Sequence, residues 1–144
     1  MKTIVVGTDG SKSSALAVER AATLAAALGS KLVIGSAYYE SREAAQNTLR
    51  RDSVSVIGPE HAEENLTKAV ELAKSLGVSD ISTMVRPGTP VHALMEIVKE
   101  SDADLLVVGN RGINSLTGRL LGDVPTEVAR KSRVDVMIVH SVDS

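Results

Sequence analysis

The sequence predicts an α/β protein with a doubly wound, five-stranded parallel sheet and helices on both faces. Two observations support this prediction. Short apolar runs alternate with segments of helical period along the 144 residues, and the connections between them are mostly short. Strict alternation of this kind implies parallel strands joined by right-handed crossovers. We expect a single domain that spans residues 1–144.

The first strand is expected at 3–6, where four residues rich in β-branched types follow one another. A helix is predicted over 11–28, with Gly29 as its C-terminal stop. Its expected buried face consists of small apolar residues at helical spacing, namely Ala15, Val18, Ala22 and Ala25.

The middle of the chain supplies a second strand at 31–37, a helix at 60–76 and a third strand at 80–86. Gly77 closes the helix. The third strand alternates apolar and polar residues, which is typical of an edge strand. The expected buried face of the helix is Leu66, Ala69, Val70 and Ala73.

The last part of the chain continues the alternation. A third helix follows Gly88 and Pro90, a continuous apolar run at 104–108 predicts a buried strand, and a helix at 124–131 precedes a strand at 134–139. The expected stripe of the third helix is Val91, Leu94, Met95 and Val98. Residues 40–59 have no sheet element, and we favour a surface insertion there over a lid.

Composition excludes several classes of function. The chain has no cysteine, a net charge of −2 and only two aromatic residues, so thiolate chemistry and a nucleic-acid surface are not expected. Its three histidines, His61, His92 and His140, lack metal-ligand spacing. The sequence shows neither a membrane span nor a signal peptide, and we expect a cytoplasmic protein without a membrane partner.

Three glycines mark a candidate anion site. Gly109 and Gly112 come directly after the buried strand at 104–108, and Gly122 stands where a helix begins with Pro125 in its first turn. Glycines let the backbone approach a ligand, and the N–H groups of the helix start face it. Strand, glycine loop and helix N-terminus therefore predict a phosphate site, although turn glycines alone would also explain Gly109 and Gly112.

This pattern, G-x2-G-x9-G, resembles that of the nucleotide-binding universal stress proteins, and the resemblance covers nearly the whole chain. It implies a fold like that of the adenine nucleotide alpha hydrolases, with strand order 3-2-1-4-5. It also implies ATP or cyclic AMP as the ligand, with Mg²⁺ accompanying ATP. The role implied is that of a stress-response regulator that senses or stores the nucleotide.

The resemblance assigns the site residue by residue. Asp9, in the loop Thr8–Gly10, matches an acidic residue near the ribose and the metal, and the backbone of Ala37 matches the position that reads the adenine edge. The phosphates and ribose are assigned to Gly109, Asn110, Arg111, Gly112, Arg119, Gly122, Asp123 and Val124. Asp9 is also an ordinary turn and cap residue, and the two arginines could equally be solvated surface.

Asp123 departs from the family pattern, which has Ser or Thr after the third glycine. A hydroxyl can donate to a phosphate oxygen, whereas an ionised Asp can only accept. A like-charge pair at about 4 Å costs roughly 4 kcal/mol at the effective dielectric of a protein surface. We therefore expect Mg²⁺-free ATP to be disfavoured relative to cyclic AMP. A plain N-cap role also accounts for Asp123.

No catalytic residue is predicted, because neither His92 nor His140 stands in a relation that suggests a triad and a Walker loop is absent. The alternatives to a nucleotide-binding regulator are a slow ATP hydrolase and a structural dimer with a degenerate site. A homodimer is expected through strand 134–139, because an apolar sheet edge needs a cover and family members commonly dimerise there.

Overall fold

The computed structural model describes residues 1–38, 59–110 and 124–141. Strands and helices alternate without exception in these ranges, as the sequence predicts. The strands are β1 (Thr3–Gly7), β2 (Lys31–Tyr38), β3 (Ile81–Pro87), β4 (Leu105–Gly109) and β5 (Asp135–Val139). The helices are α1 (Lys12–Leu28), α2 (Pro59–Ser75), α3 (Pro90–Ser101) and α4 (Val124–Lys131).

The five strands form one parallel sheet in the order β3-β2-β1-β4-β5. This is the order that the family resemblance implies, and β3 is an edge strand as its alternation predicts. Val6 of β1 pairs with Ile34 on one side and with Val107 on the other. The strand order therefore reverses at β1 and β4, which is where ligands bind in sheets of this kind.

The core consists of two layers, one on each face of the sheet. Ile4 and Val6 pack with the residues of α1 and α2, whereas Val5 packs with those of α3 and α4. All three valine and isoleucine side chains are fully buried, and each stabilises the fold by about 1.5–3 kcal/mol. This alternation along β1 confirms the predicted doubly wound arrangement.

The helix termini follow from their capping residues. Ser11 accepts a hydrogen bond from the N–H of Ser14 at the start of α1, and Thr89 caps α3 ahead of Pro90. Gly29 ends α1 in the left-handed conformation, with φ of 68°.

The predicted face of α1 needs one correction. Ala15 is exposed, and the buried face instead includes Ala17 and Ala21 together with the predicted Val18, Ala22 and Ala25. An exposed alanine costs little because its apolar area is small, so alanine spacing alone does not fix which face is buried.

Most predicted boundaries agree with the structure to within one or two residues. The sequence places the start of the last strand at Val134, but β5 begins at Asp135. The reason is local: the backbone N–H of Val134 donates to the hydroxyl of Ser132, which in turn donates to the Val134 carbonyl. Of the surface insertion or lid proposed at 40–59, residues 40–58 lie outside the described residues, and Pro59 begins α2. In the ranges described, no helix is long and apolar enough to cross a bilayer.

Candidate functional site

The candidate site lies at the carboxyl ends of β1, β2 and β4. β1 leaves the sheet after Gly7, and its last link to β2 is the hydrogen bond from the Thr8 N–H to the Gly35 carbonyl, at 2.9 Å. The chain then turns into α1, while β2 continues for three further residues and stays paired with β3. A space therefore opens beyond the end of β1, between β2 and β4.

The loop Thr8–Gly10 is held by its own polar groups. An Asp9 carboxylate oxygen accepts from the Ser11 N–H at 2.9 Å, and the Asp9 N–H donates to the Ser14 hydroxyl at 3.3 Å. Gly10 has a φ of 84°, and a methyl group there would lie 2.5 Å from the side-chain oxygen of Asn65. The turn role of Asp9 is therefore present, and it uses one of the two carboxylate oxygens.

Among the described residues, Asp9 does not stand in a metal-binding cluster of side chains. Within the described ranges, no group of three or more His, Cys, Asp or Glu residues could hold a metal ion.

The backbone of Ala37 faces the space that β1 leaves. The Gly35 carbonyl points toward β1, because it accepts from Thr8, and the Tyr38 carbonyl points toward β3, because it accepts from Gly88. Backbone groups of successive strand residues point to opposite sides, so those of Ala37 share the direction of Gly35. The hydroxyl of Ser36 reaches the Ala37 carbonyl only at 3.5 Å. Ala37 thus offers a donor and an acceptor at the edge of the site.

Gly109 is buried against the first turn of α1. A methyl group at this position would lie 2.7 Å from the backbone oxygen of Ser13 and still closer to its hydroxyl. Only glycine permits this approach, so Gly109 has a packing reason that does not depend on a ligand.

Asn110, which begins the glycine loop, is tied to the end of β5. Its N–H donates to the Val139 carbonyl at 2.9 Å, and its side-chain oxygen accepts from the Ser141 N–H at 3.0 Å. Its amide nitrogen lies 3.4 Å from Nδ1 of His140. Sequence analysis predicts no role for His140 or Ser141, because they lie 30 and 31 positions from Asn110 along the chain.

The start of α4 separates the remaining candidate residues that the structure describes from those that it does not. That helix begins at Val124, as predicted, with Pro125 buried in its first turn. The predicted phosphate-site residues before it lie outside the described residues: Arg111, Gly112, Arg119, Gly122 and Asp123.

Two carboxylates of α3 contact basic side chains, one on β3 and one on α3 itself. Glu100 accepts two hydrogen bonds from the Arg86 guanidinium at 2.7 and 2.8 Å, which lower the pKa of Glu100 and raise that of Arg86. His92 is exposed and lies 2.7 Å from Glu96, one turn further along. This contact is consistent with a surface role for His92.

A groove of about 380 Å³ lies at the opposite end of the sheet. Ala103 and Val134, which line it, lie just before β4 and β5. Its other lining residues lie on α3 or directly after it, and at or just after the end of α4. The groove is therefore separate from the loops at the carboxyl ends of the strands.

Sequence comparison assigns the family. The sequence model of the Universal stress protein family matches residues 1–140. The chain belongs to this family. A universal stress protein of Mycobacterium tuberculosis is 46% identical to it in an alignment of 142 residues that covers 97% of each chain.

Solved structures of similar proteins agree with this assignment. A universal stress protein crystallised in complex with cAMP is 45% identical, with a TM-score of 0.74 over 96% of each chain. A universal stress protein from Archaeoglobus fulgidus in complex with dAMP has a TM-score of 0.72 over 96% of this chain and 97% of its own. It is only 19% identical, so it supports the fold alone.

Proposed function

We propose that this universal stress protein binds an adenine nucleotide beyond the end of β1, with cyclic AMP preferred over Mg²⁺-free ATP. The observation that carries the proposal is that three elements meet at the carboxyl end of the sheet. They are the Asp9 loop, the backbone of Ala37 and the start of the glycine loop at Asn110. The 45% identical universal stress protein in complex with cAMP supports the choice of ligand.

The proposed contacts follow from the groups available. The backbone N–H and C=O of Ala37 match the donor and acceptor of the adenine edge, and the second carboxylate oxygen of Asp9 can accept from a ribose hydroxyl. The loop 109–122 and the N-terminus of α4 would receive the phosphate. We infer no catalytic residue, and the proposed role is that of a nucleotide sensor or store in the stress response.

The charge of Asp123 is the proposed source of ligand preference. In isothermal titrations, cyclic AMP should bind more tightly than Mg²⁺-free ATP, and Mg²⁺ should strengthen ATP binding. Asp123→Ser should raise the affinity for Mg²⁺-free ATP by roughly tenfold or more, because it removes a negative charge beside the phosphates. Asp123→Asn is the matched variant, since Asn is an equally good N-cap without the charge.

Several outcomes would contradict the proposal. Unchanged ATP affinity in both Asp123 variants would remove the charge argument. An absence of heat with every nucleotide, in protein shown to be free of bound nucleotide, would favour the structural dimer with a degenerate site. A rate of phosphate release from ATP that is higher with the protein than without it would favour the slow hydrolase.

We also propose that two copies pair through β5. This strand has β4 on one side only, and Ile138 is 41% exposed on it. Light scattering at micromolar concentration should give a dimer, and Ile138→Lys should shift it toward the monomer because a charge would be buried at the interface. Leu28→Lys, at an exposed position on α1, is the control. A monodisperse wild-type monomer would contradict the proposal.

A further inference from the structure

The glycine loop leaves the sheet at a point that is fixed from two sides. On one side, Gly109 packs against Ser13 in the first turn of α1. On the other, the backbone N–H of Asn110 donates to the Val139 carbonyl, so that β4 and β5 remain paired one residue past the end of β4. The backbone is therefore held in place as far as Asn110, where the loop begins.

The side chain of Asn110 has a defined orientation. The backbone N–H of Ser141 can only donate, so the atom that faces it at 3.0 Å must be the amide oxygen of Asn110. The amide nitrogen then faces Nδ1 of His140 at 3.4 Å, and this nitrogen can only donate. Both functional atoms of the amide are thus directed at the two residues that follow β5.

This arrangement specifies the state of His140. To accept from the Asn110 amide, Nδ1 must present a lone pair, as it does in the tautomer that carries its proton on Nε2. A protonated ring would place an N–H group against the N–H₂ of Asn110. Turning the amide over does not relieve this conflict, because the amide nitrogen would then face the Ser141 N–H.

We propose that Nδ1 of His140 and the backbone of Ser141 position Asn110, the residue at which the glycine loop begins, for the nucleotide. The proposal rests on the proposed function for its effect on binding. His140 is exposed and acts through Asn110, so it is a positioning residue without an assigned ligand contact. The side chain of Asn110, which the resemblance assigns to ligand binding, is in this view used to hold the loop.

The first test is the affinity for cyclic AMP by isothermal titration. His140→Ala removes the acceptor and should weaken binding by roughly threefold to tenfold, the range expected for one hydrogen bond. His140→Asn should restore affinity to within about twofold, since its side-chain oxygen can take the place of Nδ1. Arg133→Ala, an exposed position just before the other end of β5, is the control and should leave the affinity unchanged.

The thermal midpoints of the three variants separate positioning from folding. If His140→Ala and His140→Asn unfold at the same temperature but differ in affinity, the effect lies in the loop. Equal affinities for wild type and His140→Ala would overturn the proposal. A loss that His140→Asn does not rescue would also overturn it, because the acceptor atom would then be irrelevant.

A second test does not need a ligand, so it separates this inference from the proposed function. Long-range ¹H–¹⁵N spectra of the imidazole rings at pH 8 report the tautomer, and His140→Asn identifies the signals of His140. The proposal requires the proton on Nε2. A ring protonated on Nδ1 would overturn it even if cyclic AMP binds, and the expected tautomer would support it even if the wild type gives no heat.

Discussion

The two ends of the sheet use their polar groups differently. At the amino end, the Asp104 carboxylate accepts from the N–H groups of Lys2 and Thr3 at 2.8 and 3.0 Å. The Asp104 N–H donates to the Thr3 carbonyl, and the Ser30 hydroxyl donates to the Met1 carbonyl. These groups satisfy one another across neighbouring strands, so the amino end is closed by the chain itself.

At the carboxyl end, several polar groups lie beyond the hydrogen bonds that join β1 to its neighbouring strands. β1 stops at Gly7, and the backbone of Ala37 is directed at the space beyond it. One carboxylate oxygen of Asp9 holds the turn, and the other is not needed for it. Among the described residues, the two ends thus differ less in polarity than in how their polar groups are used. The groups named at the amino end pair with one another, whereas those named at the carboxyl end are the ones that the proposed function assigns to a ligand.

The largest expected effect comes from Gly109→Ala at the carboxyl end. Its methyl group would meet the backbone of Ser13 at 2.7 Å, and backbone cannot move aside without shifting α1. We expect the free energy of unfolding to fall by about 2–3 kcal/mol. Because the same shift moves Asn110, the affinity for cyclic AMP should fall as well. Chemical denaturation and titration of the same protein measure both.

Gly35→Ala is the matched control within the sheet. Its methyl group would lie 2.7 Å from Cδ1 of Ile97, which is the far end of a flexible side chain. We expect a loss of about 1 kcal/mol or less, with nucleotide affinity retained. If Gly109→Ala were as mild as this control, close packing would not define the carboxyl end.

Much of the fold could be predicted from the sequence, because each part of it depends on local patterns. The buried apolar run before Gly109 and the capping of α1 by Ser11 and Gly29 are properties of neighbouring residues. The strand order could not be predicted from local patterns, because spacing does not say which strands pair. It was predicted from the family resemblance.

The contacts within the site could not be predicted, because they depend on register between distant segments. Asn110 meets His140 only because β4 and β5 are neighbours with Gly109 opposite Val139. The direction of the Ala37 backbone depends in the same way on where β1 stops. Neither feature can be predicted from the composition or the periodicity of the chain.

A smaller effect is expected at the amino end, and it depends on pH. Hydrogen bonds from the N–H groups of Thr3 and Lys2 lower the pKa of Asp104 below its ordinary value. A carboxylate with a lowered folded-state pKa stabilises the protein above its unfolded pKa of about 3.9. That contribution is lost as the pH falls through the folded-state pKa.

Asp104→Asn tests this, because the amide keeps an acceptor but does not titrate. At pH 7 the variant should be slightly less stable than the wild type, and the difference should shrink as the pH is lowered below about 4. Denaturation at a series of pH values measures it, since the other carboxylates affect both proteins alike. Cyclic AMP affinity at pH 7 should not change, because Asp104 lies at the opposite end of the sheet from the proposed nucleotide site. A difference in stability that persists at acid pH would show that the charge of Asp104 does not close the amino end, and a change in affinity would break the separation of the two ends.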